Sequence, residues 1–410
     1  MKSGKPEDVL GWLRPGQRVY VQGGPGECIA FIDLLKAYPE RAAGVELWSC
    51  LIPGINGFDY GSLPGGPSLV TFMASPALEA SISSGRTRID AMPYSEIGAL
   101  LARTDFDLAV LHAAMPDANG LCSFGIACEA PGIAWPRAKK RIAFLNRNMP
   151  RIPRSEAIAV DGIDLAIEID APLLSPTALG PRSETLEAIA RHAANLVPDG
   201  AVIQSGIGEA PGAIIAALKD HRRLSAYSGV ITSDYRLLTE AGALDMDAEH
   251  VAGIAWGDPD FYRWLEAPGL FAFRSALETH GRDRLALLPG FVSIGSALEV
   301  DLEGAINLEW RGARRISSVG GAPDFMRAAR LSRGGRSIIA LPAVAGNGAS
   351  RIVAKLERPS IRAEYADAIV TEHGVACLRD LAPSARAAAM MAIAAPEHRI
   401  ALAASVRRDS

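Results

Sequence analysis

The sequence predicts an α/β protein of two domains with mainly parallel sheets, related by an internal pseudo-repeat. Three observations predict it. Short continuous apolar runs, bounded by turns, alternate with helical segments along the 410 residues, the pattern of strands buried on both faces of a sheet. Features of the first half return in the same order in the second. Between the halves lies APLLSPTALGPR, residues 171–182, whose Pro, Ser and Gly suit a joint. The expected domains are residues 1–180 and 181–410.

Taken in order, Arg14-Pro15-Gly16-Gln17 is a turn and Arg18–Val21 a strand, followed by Gln22-Gly23-Gly24-Pro25-Gly26-Glu27 and a helix through Leu35. Leu108–Leu111 and Ile142–Leu145 read as buried strands. After the joint, Ser183 caps a helix with Glu184 in its first turn; Leu186, Ile189, Ala190, Ala193 and Val197 recur at helical spacing, and Pro198 stops it. The turn Pro198-Asp199-Gly200 leads into a strand, Ala201–Ile203, then Gln204-Ser205-Gly206-Ile207-Gly208, then a helix over Ala213–Leu218. Ser337–Leu341 and Ala368–Val370 are further strands. Gln22, Gly24, Gly26 and Glu27 match Gln204, Gly206, Gly208 and Glu209 at a constant spacing of 182. Asp117-Ala118-Asn119-Gly120 pairs with Asp301-Leu302-Glu303-Gly304 at a spacing of 184, and the run at Asp164 resembles that at Asp367.

Composition narrows the function. Hydrophobic residues make up 49% and charged residues 21%, as in globular proteins. A net charge of −4, with only short basic runs at Arg137–Arg141 and Arg311–Arg315, argues against nucleic-acid binding. The five cysteines form no CxxC pair and no His completes a zinc site, so buried thiols in a cytoplasmic protein are expected, with no metal. The N-terminus has no apolar signal core and no apolar run approaches the ~18 residues of a membrane span.

The second glycine turn is the candidate site. A strand, a glycine turn and a helix leave free N–H groups at the helix N-terminus, suited to an anionic or carbonyl-bearing ligand. A dinucleotide fingerprint fails, since Pro211 stands where a third glycine would belong. The seven histidines are scattered, and no Ser/His/Asp triad follows from their spacing.

QSGIGEAP at 204–211, a helix, and RLSAYSGVITSDYRLLTEAG at 223–242 resemble the acetyl-CoA hydrolase/transferase family, which includes the 4-hydroxybutyrate and succinate CoA-transferases. Similar to that family are also Met115-Pro116-Asp117 with GLCSFG at 120–125, NRNMP at 146–150, Val300–Gly304, Gly320–Phe325, Gly334–Ser337, Ser350–Val353 and Val370–Ala376. The resemblance runs from about residue 14 to 400. It implies two CoA-transferase-like domains and an enzyme acting on a small acyl-CoA. In the family a Glu attacks the thioester, an anhydride forms, and a glutamyl-CoA thioester follows.

This chain departs from the family at that point: the position corresponding to the nucleophile is Gly229. The expectation is therefore a CoA-transferase or acyl-CoA hydrolase that does not work through a Glu at 229. Glu209 and Asp234 are the candidate carboxylates. On the analogy, Gln204, Ser205, Gly206, Ile207, Gly208, Tyr227, Gly229, Gly320 and Gly321 line the substrate site, with backbone N–H groups for the oxyanion. Coenzyme A enters as substrate thioester, with no tightly bound cofactor. The expected partners are the acyl-CoA and a carboxylate, with neither nucleic acid nor membrane, and a homodimer stays open. The alternative is an acyl-CoA-binding pseudoenzyme or partner subunit. A sugar-phosphate isomerase or sensor on the same fold class is a third reading, without a motif.

Overall fold

The computed structural model describes residues 2–177, 181–266 and 269–406. Two compact units emerge: Met1–Ala178 with Glu249–Thr279 and Ile316–Gly320, and Leu179–Ala248 with His280–Arg315 and Gly321–Ser410. The boundary expected at 180 lies outside the described residues. Unlike a single cut, the division returns two segments of the second half to the first unit. Hydrogen bonds explain one of them: Cys128 N–H donates to the Gly253 carbonyl, Ala255 N–H to Ile126, and Glu156 N–H to Phe273.

The first unit holds a sheet in the order Lys2–Gly4, Leu165–Ile169, Ala138–Asn146, Phe106–Ala114, Arg18–Val21, Glu46–Trp48, Ser68–Thr71, Thr87–Ile89. Every adjacent pair is parallel. The chain winds outward from Arg18–Val21 to one side, then returns to build the other. The order thus reverses beside Arg18–Val21, and such a reversal opens a crevice past the strand ends. Val19, Leu47, Leu69, Leu108, Ile142 and Leu165 join one core cluster with Phe31 and Leu35 of the helix Ile29–Ala37.

The second unit repeats the plan. Its strands run in the order Ser225–Thr232, Val202–Ser205, Phe291–Ser296, Arg336–Ala340, Ala368–Thr371, Gly374–Cys377. All these pairs are parallel except the last. Here the reversal falls beside Val202–Ser205. The helix Glu184–Ala194 begins as the sequence predicts, Ser183 Oγ accepting from Leu186 N–H at 3.3 Å. The helix after the glycine turn spans Glu209–Ala217, four residues earlier than its expected start at Ala213. Pro211 allows this because proline is tolerated in a first turn, where its missing N–H is not needed.

Equivalent residues of the two units do equivalent work, which supports the pseudo-repeat. Asp117 Oδ1 accepts from the N–H groups of Asn119 and Leu121, and Asp301 Oδ1 from those of Glu303 and Ala305. Asp164 Oδ2 accepts from Arg141 N–H at 2.9 Å, and Asp367 Oδ2 from Ser337 N–H at 3.0 Å. Gln22 Oε1 accepts from His112 N–H at 2.8 Å, and Gln204 Oε1 from Ser293 Oγ at 2.7 Å. Three cations of the first basic run are matched by acids, with Arg137, Lys139 and Lys140 paired to Asp105, Asp107 and Asp164.

Candidate active site

At the reversal point of the second unit, Gly206-Ile207-Gly208 links the strand Val202–Ser205 to the helix Glu209–Ala217. Gly206 N–H is spent on the Ile294 carbonyl at 2.8 Å. The next amides lie at the helix N-terminus, where N–H groups have no partner within the helix. Gly208 sits at φ +135°, a conformation glycine adopts without strain. Ile207, Gly208 and Glu209 are exposed. Gln204 and Ser205 are not: both are buried, Gln204 on Ser293 and Ser205 Oγ 3.0 Å from Tyr235 Oη. Of the expected lining at 204–208, the surface is formed by the last three residues.

Gly229 lies in the neighbouring strand Ser225–Thr232, on a bulge. Ile203 pairs with Ala226 but Ser205 with Val230, so Gln204 on one strand faces the three residues Tyr227, Ser228 and Gly229 on the other. Bulges of this kind re-aim the local backbone and are common beside functional sites. Ser228 replaces the interrupted ladder: its Oγ accepts from Ser205 N–H at 3.3 Å and donates to the Val230 carbonyl at 2.6 Å. Tyr227, on the same bulge, is buried, with the Arg284 guanidinium 5.6 Å from its ring centre.

The face of Gly229 is covered. A Cβ there would lie 2.9 Å from His280 Cε1, 3.0 Å from Nε2 and 3.3 Å from Phe325 Cζ. The same imidazole lies against Gly321, where a Cβ would meet Nε2 at 2.5 Å and Phe325 Cε2 at 2.8 Å. The His280 and Phe325 rings are 4.6 Å apart. His280 is 4% exposed, and burial pushes its pKa down to about 3, so the ring is neutral. Sequence reasoning missed it, because a lone histidine in LETHGRD carries no periodicity or motif. Gly320, at φ +57°, belongs to the first unit, where its carbonyl accepts from Tyr94 N–H at 3.2 Å.

The two candidate carboxylates differ. Glu209 is exposed in the first turn of its helix. Asp234 is partly buried at the start of the helix Ser233–Glu240, with Oδ1 2.5 Å from Arg182 and Oδ2 accepting from Thr232 Oγ1 at 3.3 Å. Burial raises its pKa and the Arg182 charge opposes the rise. Among the described residues, no group of three or more His, Cys, Asp or Glu is placed to hold a metal, and no helix is long and apolar enough to cross a membrane. The five cysteines are free and four are buried. A cleft of about 560 Å³ lies in the first unit against Arg147–Pro150, Asp170, Tyr262 and Glu266. Its Arg147 is paired with Glu168, and Glu266 accepts from Arg151 N–H, so it presents no unmatched charge from these residues to a ligand.

A family model for the acetyl-CoA hydrolase/transferase C-terminal domain matches residues 257–406. The chain is 33% identical over 336 residues to the 4-hydroxybutyrate coenzyme A transferase of Clostridium kluyveri, covering 78% of each protein. Among solved structures, it resembles 4-hydroxybutyrate CoA-transferase from Porphyromonas gingivalis with a TM-score of 0.83 at 25% identity, covering 100% of this chain and 98% of that one. RipA from Yersinia pestis aligns with a TM-score of 0.92 at 25% identity, over 100% and 97%.

Proposed function

The chain belongs to the acetyl-CoA hydrolase/transferase family, and from that premise we propose that it cleaves a small acyl-CoA thioester at the glycine turn of its second unit, without a carboxylate at position 229. The observation that carries this reading is the Gly206-Ile207-Gly208 turn, exposed from Ile207 onward, on a helix N-terminus at the sheet's reversal point. Amides there can bind the thioester carbonyl and stabilise its oxyanion, an effect worth ~3 kcal/mol per donor in other acyl-transfer sites. Water or a carboxylate adds to the carbonyl carbon, the C–S bond breaks and CoA thiolate departs. Glu209 is the carboxylate we take forward, because it is exposed beside the turn while Asp234 is occupied by Arg182.

A second reading, an acyl-CoA-binding protein without turnover, has its own support. The space beside Gly229 is filled by His280 and Phe325. As partners we propose the acyl-CoA and a carboxylate, in a cytoplasmic homodimer that sedimentation would check. The decisive experiment incubates the protein with a panel of acyl-CoAs and carboxylates, following free thiol and exchanged thioester, beside calorimetry with CoA. Turnover is the expected result. Binding without turnover would select the second reading, and no CoA affinity would sink both.

A further inference from the structure

The Gly229 face, the Gly321 face and the His280 ring share one volume. A Cβ on Gly229 would come within 3.0 Å of two imidazole atoms, and one on Gly321 within 2.7 Å of two. Contacts below about 3 Å require a neighbour to move, and a packed interior resists such movement. The ring has little freedom to yield. It is 4% exposed, packs against the tilted Phe325 ring with centroids 4.6 Å apart, and Phe325 is itself 4% exposed in the helix Ala322–Leu331. That helix is anchored in turn, since Asp324, fully buried, accepts from Arg282 Nε at 2.7 Å, two residues beyond His280.

We propose that His280 determines the chemistry available to this site: its imidazole occupies the space that a side chain at 229 requires, so a carboxylate can work from that position only when the imidazole is removed. The steric part stands on the structure alone, while its consequence for catalysis rests on the acyl-CoA reading above. A direct corollary is that Gly229→Glu by itself does not install CoA transfer, because the new side chain meets the ring before it meets a substrate.

With the space open, a Glu at 229 could follow the family's covalent route. Its carboxylate oxygen bonds to the thioester carbon and CoA thiolate leaves, giving a mixed anhydride. The thiolate then attacks the glutamyl carbonyl and expels the acyl carboxylate, leaving a glutamyl-CoA thioester that borohydride reduces to an alcohol.

The test is a double-mutant cycle with two readouts. Thermal unfolding compares the parent with Gly229→Ala, His280→Ala and the pair. Gly229→Ala should lower Tm by ~4 °C or more, and in the His280→Ala background the same change should cost far less. Additive shifts in the pair, or a Gly229→Ala variant that unfolds with the parent, would overturn the proposal. If Gly229→Ala does not fold, recovery of folded protein on adding His280→Ala supports it, and failure to recover overturns it. The second readout mixes acyl-CoA and borohydride with Gly229→Glu and with Gly229→Glu/His280→Ala, then maps peptides by mass spectrometry. At least ~10-fold more reduced adduct at position 229 is expected in the double variant. Equal labelling of the two overturns the proposal. Steric coupling without any adduct upholds the shared volume and tells instead against the acyl-CoA reading.

Discussion

The two glycine turns were matched by their residues, yet the protein uses them in opposite ways. Gln22–Glu27 is closed. Gly24, Pro25, Gly26 and Glu27 are all buried, and Glu27 is 2% exposed. Asn56 Nδ2 donates to Glu27 Oε2 and Tyr60 Oη to Oε1, each at 3.0 Å, while Asn56 also holds the Gly24 carbonyl. His112 closes the other side: Nδ1 lies 3.2 Å from the Gly26 carbonyl and Nε2 3.0 Å from Asn146 Nδ2. Burial lowers its pKa to about 4, so the ring is neutral, donates from Nδ1 and accepts at Nε2. Gln204–Glu209 is open from Ile207 onward. One frame therefore serves once as a packed joint and once as an exposed turn at a helix N-terminus. The pattern G-x-G specifies the turn; its surroundings decide whether it is free.

The sharpest break between the two should come from adding one methyl group to each. A Cβ on Gly23 would lie 2.3 Å from the Cys50 carbonyl oxygen and 2.8 Å from Ser49 Oγ. Because the nearer obstacle is backbone, Gly23→Ala should cost on the order of 3 kcal/mol. On Gly206 the nearest atom is Ile294 O at 3.7 Å, an ordinary contact, so Gly206→Ala should cost below ~1 kcal/mol while lowering thioester cleavage. Urea unfolding of both variants checks this, and equal losses would remove the distinction between the turns. Next in size is Glu27→Ala, which strands the Asn56 and Tyr60 donors inside the protein. Roughly 2–3 kcal/mol should be lost on the same measurement.

Glu129 sharpens the contrast through pH. It is 2% exposed, its Oε2 has no hydrogen-bond partner, and its Oε1 lies 2.8 Å from where a Cβ on Gly24 would stand. Burial pushes its carboxyl pKa up to about 8. The folded state thus keeps a proton that the unfolded chain releases near ~4.3. Between those values the native state binds more protons, so stability falls as pH rises, by about 1.4 kcal/mol per unit at most, and levels off above pH 8. Glu129→Gln cannot ionise and should lack this slope, matching the parent below about pH 4 and exceeding it at pH 8. Parallel stability curves for the two proteins would show that Glu129 does not titrate in this way.

Much of this was legible in the chain. The apolar runs at 108–111, 142–145 and 368–370 all lie in strands, since continuous burial on both faces leaves an unmistakable composition. The repeat was legible because Asp117 and Asp301, like Asp164 and Asp367, cap the same backbone groups in each unit. The helix after the second turn starts at Glu209 rather than at Ala213, since Pro211 sits in its first turn, where no helical N–H is needed. The return of Glu249–Thr279 to the first unit was invisible, as it depends on pairings such as Ala127 with Ile254 that no local pattern encodes. His280 was invisible for the same reason. Its meaning comes from Gly229 and Gly321, 51 and 41 residues away along the chain.

The smallest expected stability change belongs to the residue that matters most to the proposed chemistry. Glu209 matches Glu27 in the repeat, but it is exposed at the head of its helix rather than locked by two donors. Its contribution to folding is then limited to a favourable interaction with the helix N-terminus, ~0.5 kcal/mol at surface exposure. Glu209→Gln keeps the size and removes the charge, so unfolding should shift by no more than that. Activity separates the mechanisms. If Glu209 attacks the thioester, Gln cannot, and thiol release should fall by ~10³-fold or more with CoA binding kept. If water attacks with the turn amides supplying most of the stabilisation, release should survive within ~10-fold. Borohydride trapping adds an independent view, since only the first case leaves a reduced adduct on the peptide containing residue 209. A Glu209→Gln protein that loses as much stability as Glu27→Ala would mean that the second turn is closed as well, and the contrast drawn between them would fall.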